Sequence, residues 1–422
     1  MYLNCHSYYS LRYGTLSPAQ LVQAAKRLGV SALALTDVNN ASAAGEFVRL
    51  CKKEGIRPLL GIDFFKDGKR LYTGIARNAE GFCLLNQFLS EHSLDGKPLP
   101  EVFPHHLPIA IGTSPPVAII YPKLIKPIEQ FKQHEFLGVR PEFVYRLLAA
   151  DVRHHPDKLL IFSPVTFLDE AGYELHCILR AVDQNTLLTK LTADDLAKKT
   201  ELFTPPAVLD DLYKLYPKII ENTRRFVDGC SIELETGLQV NRQTFTGSKE
   251  GDFKLLEKLA IEGCRRRYGA SARQPEERLL RELKIIRQMD FCAYFLITWD
   301  IVRYAQAAGY HHVGRGSGAN SIVAYSLGIT DVDPIELDLY FERFINLHRP
   351  SPPDFDIDFS WDERDDVTDY IFKRYGREHT ALLATYSTFQ FNAAVREVGK
   401  VFGLPKEEID QLIEDVLRAT GT

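Results

Sequence analysis

No stretch of this sequence is long and apolar enough to span a bilayer, and its N-terminus lacks the basic and apolar regions of a secretory signal. Cysteine is sparse. Cys5, Cys51, Cys83, Cys177, Cys230, Cys264 and Cys292 are odd in number and form no CxxC pair. That argues against a disulfide framework or a zinc finger, and for a reducing cytoplasmic setting. An excess of positive charge is missing too. The formal net charge of −5 leaves no global basic field to advertise nucleic acid, although binding needs only a local basic patch. There are no repeats and no low-complexity tract. What is present is ordinary globular composition, 45% hydrophobic and 25% charged. The 422 residues can bury a large core and suggest about two to four domains. The densest basic stretch is Arg265-Arg266-Arg267 with Arg273, Arg278, Arg281, Lys284 and Arg287. It fits a solvated helix face as well as a DNA contact.

Aspartate and a large apolar residue alternate strictly in Pro353-Asp354-Phe355-Asp356-Ile357-Asp358-Phe359. On a β-strand the three carboxylates would line one face, with Phe355, Ile357 and Phe359 facing a core. Like charges stacked this way call for a cation. Hard oxygen ligands suit Mg²⁺, and two such ions roughly 3.5–4 Å apart can clamp both oxygens of a phosphoryl transfer. A solvated edge strand with acidic outward residues is the alternative. Upstream, Gly314-Arg315-Gly316-Ser317-Gly318 reads as a glycine-rich turn opening a short helix that stops at Gly328. Glycines let backbone N–H groups approach an anion, a helix N-terminus favours negative charge, and Arg315 adds a forked cation. Arg343, in Phe341-Glu342-Arg343-Phe344-Ile345-Asn346, could reach the same site or be an ordinary surface arginine.

Residues 1 to about 205 alternate strand and helix. Strands are expected at Tyr2–His6, Ala32–Thr36, Ile56–Phe65, Tyr72–Ile75, Val117–Tyr121, Phe136–Val139 and Leu159–Phe162. Helices are expected after Ser17-Pro18 and at Ala43–Glu54, Ala79–Leu89, Glu142–Ala150 and Asp169–Val182. Repeated βα units imply a mostly parallel sheet, open or closed into a barrel. The loop from Leu94 to Pro116 reads as irregular. Pro206–Ile232 reads as helical, with a domain boundary near Glu233–Thr244. A helix over Pro275–Met289 follows. Ser360-Trp361-Asp362-Glu363 fits a capping box opening a helix to Tyr375. Thr380–Thr385 reads as a strand, and helices near Phe391–Val401 and Pro405–Arg418 finish the chain.

The glycine turn, Leu327-Gly328-Ile329-Thr330-Asp331-Val332-Asp333-Pro334, the Phe341–Asn346 segment and the acidic strand closely resemble the palm of the bacterial DNA polymerase III alpha-subunit family. So do Tyr294-Phe295-Leu296-Ile297 and Trp299-Asp300. The likeness runs from about Glu276 to Lys400. It implies a nucleotidyltransferase palm like that of DNA polymerase beta, with a Gly-Ser pair on the incoming triphosphate and paired aspartates on two Mg²⁺. Residue by residue, it implies Asp354 and Asp356 as catalytic metal ligands. Arg315, Gly316, Ser317 and Arg343 would be the nucleotide- and phosphate-binding set.

His6-Ser7 with Tyr9-Ser10-Leu11, Ala34-Leu35-Thr36-Asp37, and Gly55-Ile56-Arg57-Pro58 with Gly61 resemble the polymerase-and-histidinol-phosphatase (PHP) domain that begins these subunits. That likeness implies a distorted βα barrel whose active members hold a cluster of Zn²⁺ or Mn²⁺. Most ligand positions differ here. Asn4 stands for the first His and Val38 for the His after Asp37. Asp63 stands for a Glu, Leu71 for another His, and Pro164 and Thr166 for a late Asp/His pair. Asn4, His6, Asp37 and Asp63 therefore form a degenerate site: His6, Asp37 and Asp63 could still make a weak metal site, but a decayed site kept as a scaffold without metals is the favoured reading.

The resulting expectation is an α/β chain with a PHP domain over 1–235, an incomplete palm over 236–385 and the start of a helical thumb over 386–422. It would be the N-terminal part of a Mg²⁺-dependent, DNA-directed DNA polymerase, inactive alone because the family's third catalytic aspartate lies beyond Thr422. The implied partners are primer-template DNA, deoxynucleoside triphosphates, a proofreading exonuclease subunit and a sliding clamp. The competing readings are a PHP phosphoesterase or exonuclease, and a non-catalytic assembly scaffold.

Overall fold

The computed structural model describes residues 2–104, 115–234, 243–345 and 354–420. Part of the Leu94–Pro116 loop, part of the Glu233–Thr244 boundary, Asn346 and Pro353 lie outside the described residues. The chain divides into two compact units, Met1–Thr236 with Ser387–Thr422, and Gly237–Tyr386.

In the first unit, largely buried strands build one six-stranded sheet in sequential order: β1 (Ala32–Leu35), β2 (Arg57–Lys66), β3 (Lys69–Ala76), β4 (Val117–Tyr121), β5 (Glu135–Val139) and β6 (Leu159–Ile161). The pairs β1–β2, β4–β5 and β5–β6 are parallel, while β3 runs antiparallel to both neighbours. Both faces carry apolar side chains, as a covered sheet requires. Leu33, Leu35, Leu60, Ile62 and Tyr121 join one core cluster; the alternate residues Ala32, Ala34, Leu59, Ile120 and Leu160 join another. The segment expected as a first strand makes isolated bridges instead, Tyr2 to Leu33 and Cys5 to Val165. Ala34 N donates to Tyr2 O (3.0 Å) and Val165 N to Asn4 O (2.9 Å). Residues 2–6 thus join the two edges of a curled sheet and place the Asn4 and His6 side chains fully inside.

Helices α1 (Pro18–Arg27), α2 (Ala44–Glu54), α3 (Ala79–Leu94), α4 (Glu170–Asp183), α5 (Pro206–Leu212) and α6 (Pro217–Asp228) complete this part. Ser17 and Gln20 form a reciprocal capping box on α1, and Gly55 ends α2 in the left-handed region. Further expectations need correction. Residues 141–149 form a 3₁₀ helix rather than an α-helix. Pro206–Ile232 is helical only over Pro206–Leu212 and Pro217–Asp228, with Pro217 at the start of the second helix. Thr380–Thr385 is not a strand but irregular and exposed, with no neighbouring strand among the described residues.

The second unit packs α7 (Lys249–Tyr268), α8 (Arg273–Gln288), α9 (Cys292–Ala307), α10 (Ile322–Leu327) and α11 (Arg364–Tyr375) around a two-stranded ribbon, β7 (His312–Arg315) with β8 (Asp356–Phe359). Its core holds Leu256, Leu279, Leu283, Phe295, Ile322, Phe341 and Phe344. The expected Ser360 cap is absent. Ser360 Oγ donates to Asp362, and α11 begins only after Glu363, which makes no side-chain cap. Helices α12 (Phe391–Phe402) and α13 (Lys406–Thr420) pack on each other, and α12 packs on α4.

Phe295 is fully buried, with its ring edge-on to Phe355 (5.1 Å) and to Phe344 (6.0 Å). Phe295→Ala should destabilise the second unit by about 3–5 kcal/mol, the usual cost of truncating a buried aromatic. Urea unfolding of the purified chain, followed by the fluorescence of Trp299 and Trp361, measures it.

Candidate functional site

The acidic strand is built as its period predicts. Phe355 and Ile357 pack on the core of the second unit, with the Phe355 ring stacked on Tyr294 at 5.2 Å and its N–H donated to the Tyr294 hydroxyl (2.7 Å). The register pairs Arg315 with Asp356 and Val313 with Asp358. Cross-strand neighbours share a face, so the Arg315 guanidinium reaches both acids. Its Nε donates to Asp358 Oδ2 at 2.6 Å, and Nη1 lies 3.7 Å from Asp356 Oδ2. All three side chains remain well exposed, at 60% for Arg315, 43% for Asp356 and 56% for Asp358. Asp354 lies just before the strand and is exposed.

The glycines of the turn are required by this closeness. Gly316 has φ +72°, and a Cβ there would stand 2.7 Å from Asp356 Oδ2. A Cβ on Gly318 would lie 2.7 Å from the Phe355 ring. The turn therefore presses directly on both faces of the acidic strand, and only glycine permits it. Ser317 lies on this turn, a 3₁₀ segment over Gly316–Asn320. Arg343 ends a short 3₁₀ turn (Phe341–Arg343) beside buried Phe344, whose ring packs on Phe355. The Arg343 side chain is exposed and makes no ion pair with the acids among the described residues.

The helix N-terminus does not serve the anion as expected. Helix α10 starts after Ser321, whose hydroxyl accepts from Ala324 N (3.2 Å) and donates to buried Glu282 Oε2 (2.9 Å). Val323 N also donates to that oxygen at 3.4 Å. A carboxyl group of the protein already sits where the helix dipole favours negative charge. Arg278 completes the arrangement. It donates to Glu282 (3.0 Å), to Asn320 O (2.8 Å) and to Pro334 O (3.2 Å), while Asn320 Nδ2 donates to Ser317 O (2.8 Å). Arg278 and Glu282 thus hold the glycine turn from behind. Burial, only partly offset by Arg278 and Ser321, pushes the Glu282 carboxyl up to about 7.

Other members of the basic stretch are also engaged. Arg287 pairs with Glu250, Arg265 with Glu276, and Arg267 with Asp331 while lying over the Tyr325 ring. Asp300, buried on α9, accepts from the hydroxyls of Tyr370 (2.8 Å) and Tyr375 (2.9 Å) and pairs with Arg303 and Arg374. That cluster clamps α11, the helix following the acidic strand, onto α9.

In the first unit, Asn4, His6 and Asp63 are brought together and fully buried. Asp63 Oδ2 accepts from His6 Nε2 (2.9 Å), Asn4 Nδ2 (3.0 Å) and Arg70 Nε (2.7 Å), and Oδ1 from Thr73 (2.7 Å). Burial would raise the Asp63 carboxyl, but Arg70 and His6 overcome it and hold it at about 2. Glu201 joins through Arg140 (2.7 Å) and Thr166 (2.6 Å). Asp37 faces a different set, Ser7 N and the hydroxyls of Ser7 and Ser10; burial keeps its carboxyl above the ordinary value despite these bonds. Among the described residues no three His, Cys, Asp or Glu side chains form a group able to hold a metal, and no helix is long and apolar enough to cross a membrane.

Sequence reasoning missed Glu282, Arg70 and Glu201, and named Arg278 only within the basic stretch. Glu282 left a signal, a carboxylate on the buried side of α8 between Leu279 and Ile286 with an arginine four residues earlier. Arg70 left none, because a β-bulge decides where it points. Asp63 pairs with Thr73 and Phe64 with Tyr72, but Phe65 pairs with Arg70, leaving Leu71 as the extra residue. Strict alternation would put Arg70 on the face opposite Thr73; the bulge brings it to the same face.

The first unit thus holds a curled sheet around a buried polar pocket, and the second a two-stranded ribbon bearing acids and a glycine turn. Residues 3–108 match the PHP domain model, and residues 254–422 match the model for the bacterial DNA polymerase III alpha NTPase domain. In both regions the chain is similar to bacterial DNA polymerase III alpha subunits. It is 32% identical to DNA polymerase III subunit alpha of Bacillus subtilis, over 98% of this chain and 39% of that protein. It is 30% identical to an error-prone DNA polymerase of Symbiobacterium thermophilum, over 99% of this chain and 42% of that protein, and 31% identical to the Treponema pallidum subunit alpha. The chain spans about two fifths of the length of these relatives.

The raised Glu282 carboxyl gives a pH dependence with a definite sign. The native state keeps this proton where the unfolded chain has lost it. The group's contribution to stability is therefore full below about pH 4.5 and is lost as pH rises through about 7. Melting temperatures of the chain between pH 5 and 8 should fall less steeply for Glu282→Gln than for wild type; identical slopes would contradict the assignment.

Proposed function

We propose that the second unit contributes the metal- and triphosphate-binding half of a site for template-directed deoxynucleotidyl transfer, working on primer-template DNA in the cytoplasm. The observation that carries this is the direct seating of the Gly316 turn against Asp356. One ribbon thereby presents N–H donors and carboxylates to the same space. The donor set fits Mg²⁺, since Asp354 and Asp356 are exposed hard oxygen ligands and Arg315 takes Asp358, not Asp356, at hydrogen-bond distance. Bound there, Mg²⁺ would lower the pKa of the primer hydroxyl and offset the negative charge of the triphosphate. The chain's own part is positional. Backbone N–H groups of residues 316–318 and the Ser317 hydroxyl hold phosphate oxygens. Arg315 and Arg343 supply positive charge, and Phe355 with Ile357 fixes the strand that aims the acids.

Residues 1–235 act as a scaffold in this reading, residues 236–385 as a palm, and residues 386–422 as the beginning of a thumb. A phosphoesterase role for the PHP pocket is disfavoured because its acids and its histidine are bonded to one another. A proofreading exonuclease subunit and a sliding clamp are the protein partners the reading implies.

The test is primer extension in a chimera that adds the downstream part of the Bacillus subtilis relative. Asp354→Asn and Asp356→Asn should each remove several kcal/mol of transition-state stabilisation, on the order of a thousandfold or more in rate. Asp358→Asn should cost about tenfold, since it frees Arg315 without removing a metal ligand. If Asp358→Asn is as inactive as Asp356→Asn while Asp354→Asn still extends, the metal pair lies one step further along the strand. The 422-residue chain by itself should incorporate no nucleotide; template-dependent incorporation by the purified chain counts against the reading.

A further inference from the structure

The buried charge cluster of the PHP-type pocket has a feature that its scaffold role leaves unexplained, a guanidinium at its centre. The Arg70 side chain is only 10% exposed. Its Nε donates to Asp63, its Nη2 to Asn4 Oδ1 (3.3 Å), and its Nη1 lies 4.0 Å from Glu201 Oε1. Its charge also lies over two aromatic rings, Phe65 at 5.3 Å and Phe162 at 5.6 Å, an arrangement that favours a cation. The surrounding donor set does not fit a transition metal. Asn4 turns its amide N–H₂ toward Asp63, so a donor stands where a ligand would offer a lone pair. The two nitrogens of His6 are engaged by Asp63 and Thr166, and every oxygen of Asp63 already accepts from the protein. We propose that Arg70 is a built-in counter-cation, doing for Asp63 and Glu201 the electrostatic work of bound metal in ligand-complete PHP sites. It makes the folding of this pocket independent of metal.

The bulge at Leu71 supports this. Without the extra residue, Arg70 would leave the pocket face, and two carboxylates would remain buried with Arg140 as the arginine left beside them. A buried acid that loses its cation is strongly destabilising, whereas neutralising both partners removes the penalty.

The inference rests on the scaffold reading of the pocket, and the experiment separates the two. Thermal melts are taken of the purified chain as wild type, Arg70→Lys, Arg70→Met, Asp63→Asn and the Arg70→Met/Asp63→Asn double variant. Each is measured with EDTA and with Mn²⁺ or Zn²⁺. Wild type should melt at the same temperature in all three conditions. Arg70→Met should lower the melting temperature by several degrees, Arg70→Lys should lower it less, and the double variant should melt above Arg70→Met. Should Arg70→Met fail to accumulate, a double variant that does fold supports the proposal, and failure of both overturns it. A double variant no more stable than Arg70→Met, or an Arg70→Met that melts like wild type, also overturns it. Stoichiometric Mn or Zn in the dialysed wild-type chain, or a metal-induced rise in its melting temperature, overturns both this proposal and the scaffold reading.

Discussion

A carboxylate taken out of water costs several kcal/mol unless a cation and further hydrogen-bond donors meet it. In this chain that constraint is met repeatedly by arginine: Arg70 at Asp63, Arg140 at Glu201, Arg278 at Glu282, and Arg303 with Arg374 at Asp300. The planar fork suits the task because one guanidinium can bond a carboxylate and nearby carbonyls together. Arg278 does this, joining Glu282 to the carbonyls of Asn320 and Pro334.

The same pairing explains why the exposed acids of β8 can stand in a row. Arg315 lies between Asp356 and Asp358 and relieves their repulsion. It does so at the surface, where solvent screens the interaction and the guanidinium is easily exchanged for another partner. Beneath them the constraint is steric. The rings of Phe355, Phe344, Phe295 and Tyr294 pack the strand from below, and Gly316 and Gly318 let the turn close upon it. The acids are therefore rigidly based but chemically open, the condition a binding site needs.

The legible part of the fold was the part written in local patterns. Ser17-Pro18 and Gly55 marked helix ends, period-two alternation marked β8, and apolar runs marked the six strands of the first sheet. Failures came where local pattern and tertiary context part. Thr380–Thr385 has strand-like residues but no strand to pair with among the described residues, and a strand without partners gains nothing from its propensity. Ser360 had the spacing of a capping box, yet its hydroxyl found Asp362 first.

By itself the sequence determined the alternation of Asp354, Asp356 and Asp358 and the glycines of the turn. These are statements about residue identity and spacing, which need no third dimension. Only the tertiary structure decided that Glu282 occupies the α10 N-terminus in place of a ligand anion, that Glu201 joins Asp63 from more than a hundred residues away, and that Arg70 points inward. The last depends on one extra residue in β3, because a bulge reverses the facing of every side chain beyond it. No periodicity read along the chain can show that reversal, since it is set by the partner strand.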